Sequence, residues 1–193
     1  MNAVHRIAPL ALAVALAACA APDQPIAPHT SATGVAAARG GTQSGDRPVY
    51  NAHLTGDEEV PARATRAQGQ ATFRWSADGS ALEYKLIVAN ITNVHMAHLH
   101  LAPAGENGQI VVWLYPPGPP PLRIEGRTQG VLAEGSITAA ELVGPLEGQT
   151  LDALVAAIEA GSVYVNVHTI DPALAPNSGP GNFPGGEIRG QLP

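Results

Sequence analysis

Short runs of alternating apolar and polar residues, separated by turn-forming residues, constrain the fold of this chain most strongly. In the segment 82–88, leucine, tyrosine and valine alternate with glutamate and lysine. Because successive side chains of a strand point to opposite faces, each such run predicts a strand with one buried face. Repeated short runs of this kind are typical of an antiparallel sheet.

Eight candidate strands follow from this pattern. Segments 71–75 and 82–88 flank the step Asp78-Gly79, which predicts a hairpin between them. The remaining candidates lie at 50–54, 94–101, 109–115, 130–138, 162–170 and 187–192. We therefore expect an all-β fold, a Greek-key-like antiparallel β-sandwich of roughly eight strands.

One segment departs from the strand pattern. Thr138-Ala-Ala-Glu141 fits a capping box, and apolar residues then follow a helical spacing up to Gly161, at Leu151, Leu154, Val155 and Ile158. Glycine is the usual residue after a helix end. The pattern predicts one short helix over residues 151–160, packed on the sandwich.

The first eighteen residues have the features of an export signal. An apolar run at 7–16 follows Arg6 and is too short to span a bilayer. The run ends in Leu16-Ala-Ala-Cys19, which resembles the bacterial lipoprotein cleavage box, where the cysteine is lipidated and becomes the new N-terminus. We expect a signal peptide at 1–18 and lipidation of Cys19.

Residues 19–46 show neither a strand nor a helix period, which predicts a flexible tether before a domain at 47–193. Ala20 after the cysteine resembles lipoproteins that are sent to an outer membrane. We therefore predict an exported protein whose lipid holds it on the membrane of the bacterial cell envelope, in the outer membrane or periplasm.

Composition excludes several classes of site. Cys19 is the only cysteine, so the chain has neither an intrachain disulfide nor a multi-thiolate zinc site. The formal net charge is −6 and no Lys/Arg cluster is present, so nucleic acid is not an expected partner. The acidic run 57–59 is interpreted as a solvated loop.

Histidines carry the one chemical hypothesis that the residues support. In a strand, His98 and His100 point to one face about 7 Å apart, and His168 lies on the polar face of a later strand. Three imidazoles with an open fourth position suit Cu²⁺ or Zn²⁺. His95 has the opposite parity and could join only from a bulge or loop. The alternative is that these imidazoles simply hydrogen-bond to neighbouring polar groups.

Four sequence blocks resemble the CHRD domain, named after chordin. They are Leu54-Thr-Gly-Asp-Glu-Glu-Val-Pro61, His98-Leu-His100 with Gly105 and Gly108, Gly161-Ser-Val-Tyr-Val-Asn-Val-His168-Thr, and Pro184-Gly-Gly-Glu-Ile-Arg-Gly-Gln-Leu192. The resemblance implies an all-β extracellular domain without established catalytic residues. The chain departs from the family in a longer loop at 171–182 and a polyproline insertion at 116–121.

A second resemblance concerns copper/zinc superoxide dismutase, also a Greek-key sandwich. It rests on the H-x-H strand, the later His strand and the final Gly-Gly-x-x-Arg segment. The resemblance implies three copper ligands, His98, His100 and His168, and a role for Arg189 in guiding superoxide. The zinc cluster and the disulfide of that enzyme are not evident.

These observations lead to one interpretation and one alternative. We interpret the chain as a non-enzymatic binding or interaction module for an unknown protein or small ligand, with copper or zinc on the three histidines. His95, Asn166 and Arg189 are secondary candidates for the site. The alternative is a dismutase-like copper enzyme.

Overall fold

The computed structural model describes residues 47–193. The predicted signal peptide (1–18), the lipidation site Cys19 and the tether that ends at residue 46 lie outside the described residues. No helix within the described part of the chain has the length and apolar character needed to cross a membrane.

Eight strands and one α-helix make up the described domain, which confirms the all-β prediction. The helix α1 spans Leu151–Glu159, and two short 3₁₀ turns precede it at Ala139–Glu141 and Gly144–Leu146. The strands are β1 (Val49–Thr55), β2 (Gln68–Trp75), β3 (Leu82–Thr92), β4 (Val94–Leu101), β5 (Gln109–Tyr115), β6 (Arg127–Ile137), β7 (Val163–Thr169) and β8 (Ile188–Gln191).

The strands form one antiparallel sheet rather than two separately hydrogen-bonded sheets. Its order is β5-β4-β7-β8-β1-β2-β3-β6, and the two edge strands β5 and β6 contact each other, so the sheet nearly closes on itself. Strand β3 pairs with β6, and β4 pairs with β5. Strands β3 and β4 follow each other in the chain, but β6 and β5 lie between them around the nearly closed sheet, as in a Greek key. The predicted hairpin at Asp78-Gly79 joins β2 to β3 in continuous register.

A single hydrophobic core fills the curved sheet. Inward-facing residues of every strand take part, and the fully buried ones include Leu54, Phe73, Leu86, Leu99, Leu114, Val165 and Ile188. Each large side chain removed from water contributes about 1.5–3 kcal/mol to folding. The apolar residues of the alternating sequence pattern therefore face this core, and the polar residues between them face outward.

The helix is confirmed at the predicted position and packs its apolar stripe into the same core. The Thr150 side chain accepts a hydrogen bond from the Ala153 N–H at its start. At its end, Gly161 has φ +64° and donates to Ile158 O, while the next amide donates to Ala157 O. This is a Schellman motif, which explains the glycine. The capping box at Thr138 and Glu141 exists but begins a 3₁₀ turn, not the helix.

Strand β7 is buried on both faces, so the polar side chains of one face are enclosed and form part of the candidate site. All seven of its residues are buried, although every second one is polar. Loops cover the polar side: Glu59 of the loop 56–67, Gly108 of the loop 102–108 and Pro184 of the loop 170–187 each hydrogen-bond to a β7 side chain. The outer face of β4, β7 and β8 is thus a buried polar layer.

Candidate metal centre

Four polar or aromatic residues form a row across neighbouring strands on this outer face. Trp113 of β5 pairs with His98 of β4, His98 with Asn166 of β7, and Asn166 with Arg189 of β8. The Trp113 and His98 rings meet edge to face, with centroids 4.3 Å apart. Antiparallel pairing therefore brings together residues that lie up to 91 positions apart along the chain.

Three of the predicted site residues converge on one point. His98, His100 and His168 each offer a ring nitrogen, and these three nitrogens lie within 4.8 Å of one another. His98 Nδ1 is 3.2 Å from His168 Nε2. All three residues are buried. Imidazoles at this spacing could hold one metal ion.

Backbone carbonyls determine which nitrogen of two histidines is free. His100 Nδ1 donates to Gly108 O at 3.0 Å, and His168 Nδ1 donates to Pro184 O at 2.9 Å. A carbonyl oxygen only accepts, so both Nδ1 atoms carry the proton and both Nε2 atoms present a lone pair. Metal-binding histidines are commonly oriented by such a bond from the second nitrogen.

Unpartnered nitrogens are concentrated at this cluster. Among the described residues, six buried side-chain polar atoms lack a hydrogen-bond partner, and three of them are the Nε2 atoms of His95, His98 and His100. A buried polar atom without a partner costs roughly 1–3 kcal/mol. An ion or water in the cluster would remove part of this cost.

The surroundings keep these imidazoles neutral. Burial, together with the neighbouring His168, His100 and His95, lowers the pKa of His98 to about 2. Burial likewise lowers the pKa of His168 to about 3, although its hydrogen bond to Pro184 acts in the opposite direction. The pKa of His100 is also lowered by burial. Neutral imidazole is the form that binds metal ions.

His95 reaches the same face through a β-bulge. The pairing of β4 with β7 shifts by one residue between Val94 and Met96, so His95 is the extra residue. Val94 then lies in the core. His95 is 6% exposed, and its ring lies 6.1 Å from that of His168. The bulge that the sequence argument required for His95 is present.

Arg189 lies at the edge of the histidine cluster, where its side chain holds the loop 102–108 in place. Its guanidinium is 3.5 Å from the Tyr164 ring, and it donates to Glu106 O, Pro103 O and the Gln191 side chain. Arg189 is 1% exposed. A buried guanidinium with these partners does not support the role in guiding superoxide that the dismutase resemblance implies.

Asn166 connects the row to Glu59, which the sequence argument missed. Asn166 Nδ2 donates to Glu59 Oε1 at 2.7 Å, and Asn166 Oδ1 has no partner. Glu59 belongs to the acidic run that was expected to be solvated, but it is 5% exposed. Burial raises the pKa of Glu59 to about 7, against the lowering effect of Arg189 and Arg63. Gly186, at φ +126°, leaves room for this pair because a side chain there would overlap both.

A second buried carboxylate, Glu187, holds the covering loops. Its Oε2 accepts from Thr169 Oγ1 at 2.6 Å and from the Gly181 amide at 2.8 Å, and its Oε1 accepts from Thr65 Oγ1 at 2.6 Å. The carboxylate therefore joins strand β7 and the distant loop 56–67 to its own loop, 170–187. No sequence signal separated Glu187 from an exposed strand residue.

The donor set fits a first-row transition metal. Three neutral imidazole nitrogens suit Zn²⁺ and Cu²⁺ and lack the oxygen ligands that Ca²⁺ or Mg²⁺ requires. The separation of His98 Nδ1 and His168 Nε2, 3.2 Å, matches the distance between two ligands of one ion. Two Zn–N bonds of about 2.0–2.1 Å at the tetrahedral angle give roughly 3.3 Å.

Comparison with protein families matches residues 50–192 to the family described as CHRD domain. No curated protein and no solved structure gives a significant match to the chain. The family match covers all eight strands apart from Val49, and it includes His95 and the three clustered histidines. The chain therefore belongs to the CHRD domain family.

Proposed function

We propose that this CHRD protein is an exported, lipid-anchored binding module that holds Cu²⁺ or Zn²⁺ on His98, His100 and His168. The observation that carries the metal part is the convergence of three imidazole nitrogens within 4.8 Å. His98 Nδ1, His100 Nε2 and His168 Nε2 are the atoms that would bind the ion, because carbonyls take the other nitrogens of His100 and His168.

Hydrogen bonding alone leaves this cluster unsatisfied. Without an ion, His98 Nδ1–H donates to His168 Nε2, and the lone pairs of His98 Nε2 and His100 Nε2 stay unpaired in a buried site. With an ion, the lone pairs of His98 Nδ1, His100 Nε2 and His168 Nε2 all gain a partner, and only the Nε2–H group of His98 stays unpaired. This difference favours the metal site over the purely hydrogen-bonded alternative.

The covering loops favour binding over turnover. His98 is fully buried, and His100 and His168 are 8% and 6% exposed. The guanidinium of Arg189 is already engaged by carbonyl oxygens. Such an enclosed site suits sequestration or delivery of an ion, and the surrounding domain surface remains for an unknown protein or small ligand.

The anchoring part of the proposal rests on the sequence. The apolar run 7–16 and the small residues before Cys19 are typical of a lipoprotein signal. A lipid on Cys19 would hold the domain at a membrane of the cell envelope, where copper and zinc are available.

Calorimetric titration of the untagged full chain in detergent tests the metal part. We expect one Cu²⁺ or Zn²⁺ per chain with a dissociation constant below ~10 µM. His98→Ala/His168→Ala should lose this binding, and His53→Ala, which removes an exposed histidine of β1, should retain it. Equal binding by the double variant would contradict the proposal. A superoxide assay on the copper-loaded chain tests the dismutase alternative separately.

A further inference from the structure

His95 is a buried histidine to which the three-histidine site gives no function. Its Nε2 atom is buried and has no hydrogen-bond partner. Strict alternation along β4 would have placed this imidazole in the apolar core with Ala97 and Leu99. The bulge instead places this imidazole beside the other histidines. The position of His95 is therefore a direct consequence of the β-bulge in β4.

The His95 ring lies beside the group formed by His98, His100 and His168. The His95 and His168 ring centroids lie 6.1 Å apart, nearly the same as the 5.9 Å between His100 and His168. A change in the side-chain torsions of His95 would bring its Nε2 toward the three nitrogens that already converge.

The backbone of the bulge is held by the segment that follows the proline-rich insertion. The Leu122 amide donates to His95 O at 3.2 Å, and the Ile124 amide donates to Val94 O at 2.7 Å. Residues 122–124 thus fix the backbone of the bulge. With its backbone fixed, His95 can adjust only through its side-chain torsions, of which an imidazole has two.

We propose that His95 is the fourth ligand of the metal ion, which makes the site a closed set of four imidazoles. This inference rests on the proposed function, since it concerns the same ion. The unpaired Nε2 of His95 would close the coordination position that three histidines leave open. Residues 122–124, which directly follow the insertion at 116–121, would then serve the site by supporting the bulge.

A closed four-nitrogen site has a chemical consequence that a three-histidine site lacks. Zinc sites that keep a position open bind water or substrate there, whereas four protein ligands fill a structural site. The zinc-loaded wild type should therefore hold no coordinated water. Removing the His95 imidazole should open the fourth position to water.

Pulsed electron paramagnetic resonance on the Cu²⁺-loaded full chain tests this directly, because the echo modulation counts coordinated imidazoles. We expect four imidazoles in the wild type and in His53→Ala, and three in His95→Ala and His95→Gln. The two His95 variants should also bind Cu²⁺ at least ~10-fold more weakly. Circular dichroism of both variants checks that the sheet is retained.

The possible failures are distinguishable. If the wild type binds copper but His95→Ala and His95→Gln retain its imidazole count and affinity, His95 is not a ligand and the three-histidine proposal stands. If the wild type takes up no copper at all, the proposed function fails, and the fourth ligand fails with it.

Discussion

His98 Nδ1 lies 3.2 Å from His168 Nε2, although the two residues are 70 positions apart along the chain. The contact arises because β4 and β7 are paired strands, with Met96 opposite His168 and His98 opposite Asn166. A proton occupies the space between these nitrogens when no ion is bound. Replacing that proton by a metal ion uses the same two atoms, so the backbone already has the conformation that binding requires.

Replacing Glu59 by Gln should stabilise the domain in a pH-dependent way. Burial raises the pKa of Glu59 to about 7, from an ordinary value of 4.5. The folded state therefore keeps a proton that the unfolded state releases, and stability falls as the pH rises from 4.5 through 7. Glutamine imitates the protonated form, so Glu59→Gln should be more stable than the wild type at pH 8, by up to ~3 kcal/mol, and nearly equal at pH 4.5.

Urea unfolding of both proteins at the two pH values measures this difference. The buried histidines have lowered pKa values and the opposite pH dependence, but they contribute equally to both proteins and cancel in the comparison. Glu58→Gln is the matched control, because Glu58 is the exposed neighbour. A stability difference between Glu59→Gln and the wild type that does not change with pH would contradict the raised pKa.

Arg189→Lys should destabilise the domain even though it keeps the charge. A lysine cannot stack flat on Tyr164 and reach both Glu106 O and Pro103 O. We expect a loss of about 2–4 kcal/mol in the free energy of unfolding. Arg74→Lys, in an exposed pair with Glu83, should cost less than about 0.5 kcal/mol. Similar losses in the two variants would show that Arg189 has no special structural role.

Glu187→Gln should loosen the loops over the site. The amide of glutamine would place a donor against groups that already donate, Thr169 Oγ1, Gly181 N or Thr65 Oγ1. We expect about 2 kcal/mol of lost stability and faster hydrogen exchange at Gly181. Glu134→Gln, which alters an exposed contact with Lys85, serves as the control. Unchanged exchange at Gly181 would argue against this role for Glu187.

Cys19→Ser should release the protein from the membrane. Serine cannot carry the thioether-linked lipid that the cleavage box implies, and the apolar run 7–16 is too short to span a bilayer. Fractionation of cells that express each form measures the result. The wild type should sediment with membranes and the variant should not. Membrane association that is the same for both would remove the lipid anchor from the proposal.

Much of the fold could be predicted from alternation, because a strand with one face in the core must alternate. The same rule placed His98 and His100 on one face and put His168 with Tyr164 and Asn166 on the polar side of its strand. These placements are local in sequence. The pairing of β4 with β7 was a hypothesis, since alternation alone does not select a strand's neighbour.

The rest of the site depends on loops, and the alternation pattern does not predict the conformation of a loop. Glu59 stands in an acidic run that looks solvated, and it becomes buried only because its loop folds over Asn166. The residues of β4 do not by themselves predict the bulge at His95. Glu187 differs from an ordinary strand residue only through the donors around it, Thr65 from a distant loop and Gly181 from its own loop.

An anomalous difference map of a crystal grown with zinc or copper tests the central claim most directly. We predict one strong peak per chain, bonded at about 2.0–2.1 Å to His98 Nδ1, His100 Nε2 and His168 Nε2. The same crystal form of His98→Ala/His168→Ala should lack that peak. Peaks confined to exposed groups such as His53, with none at the three buried histidines, would contradict the claim that this cluster is a metal site.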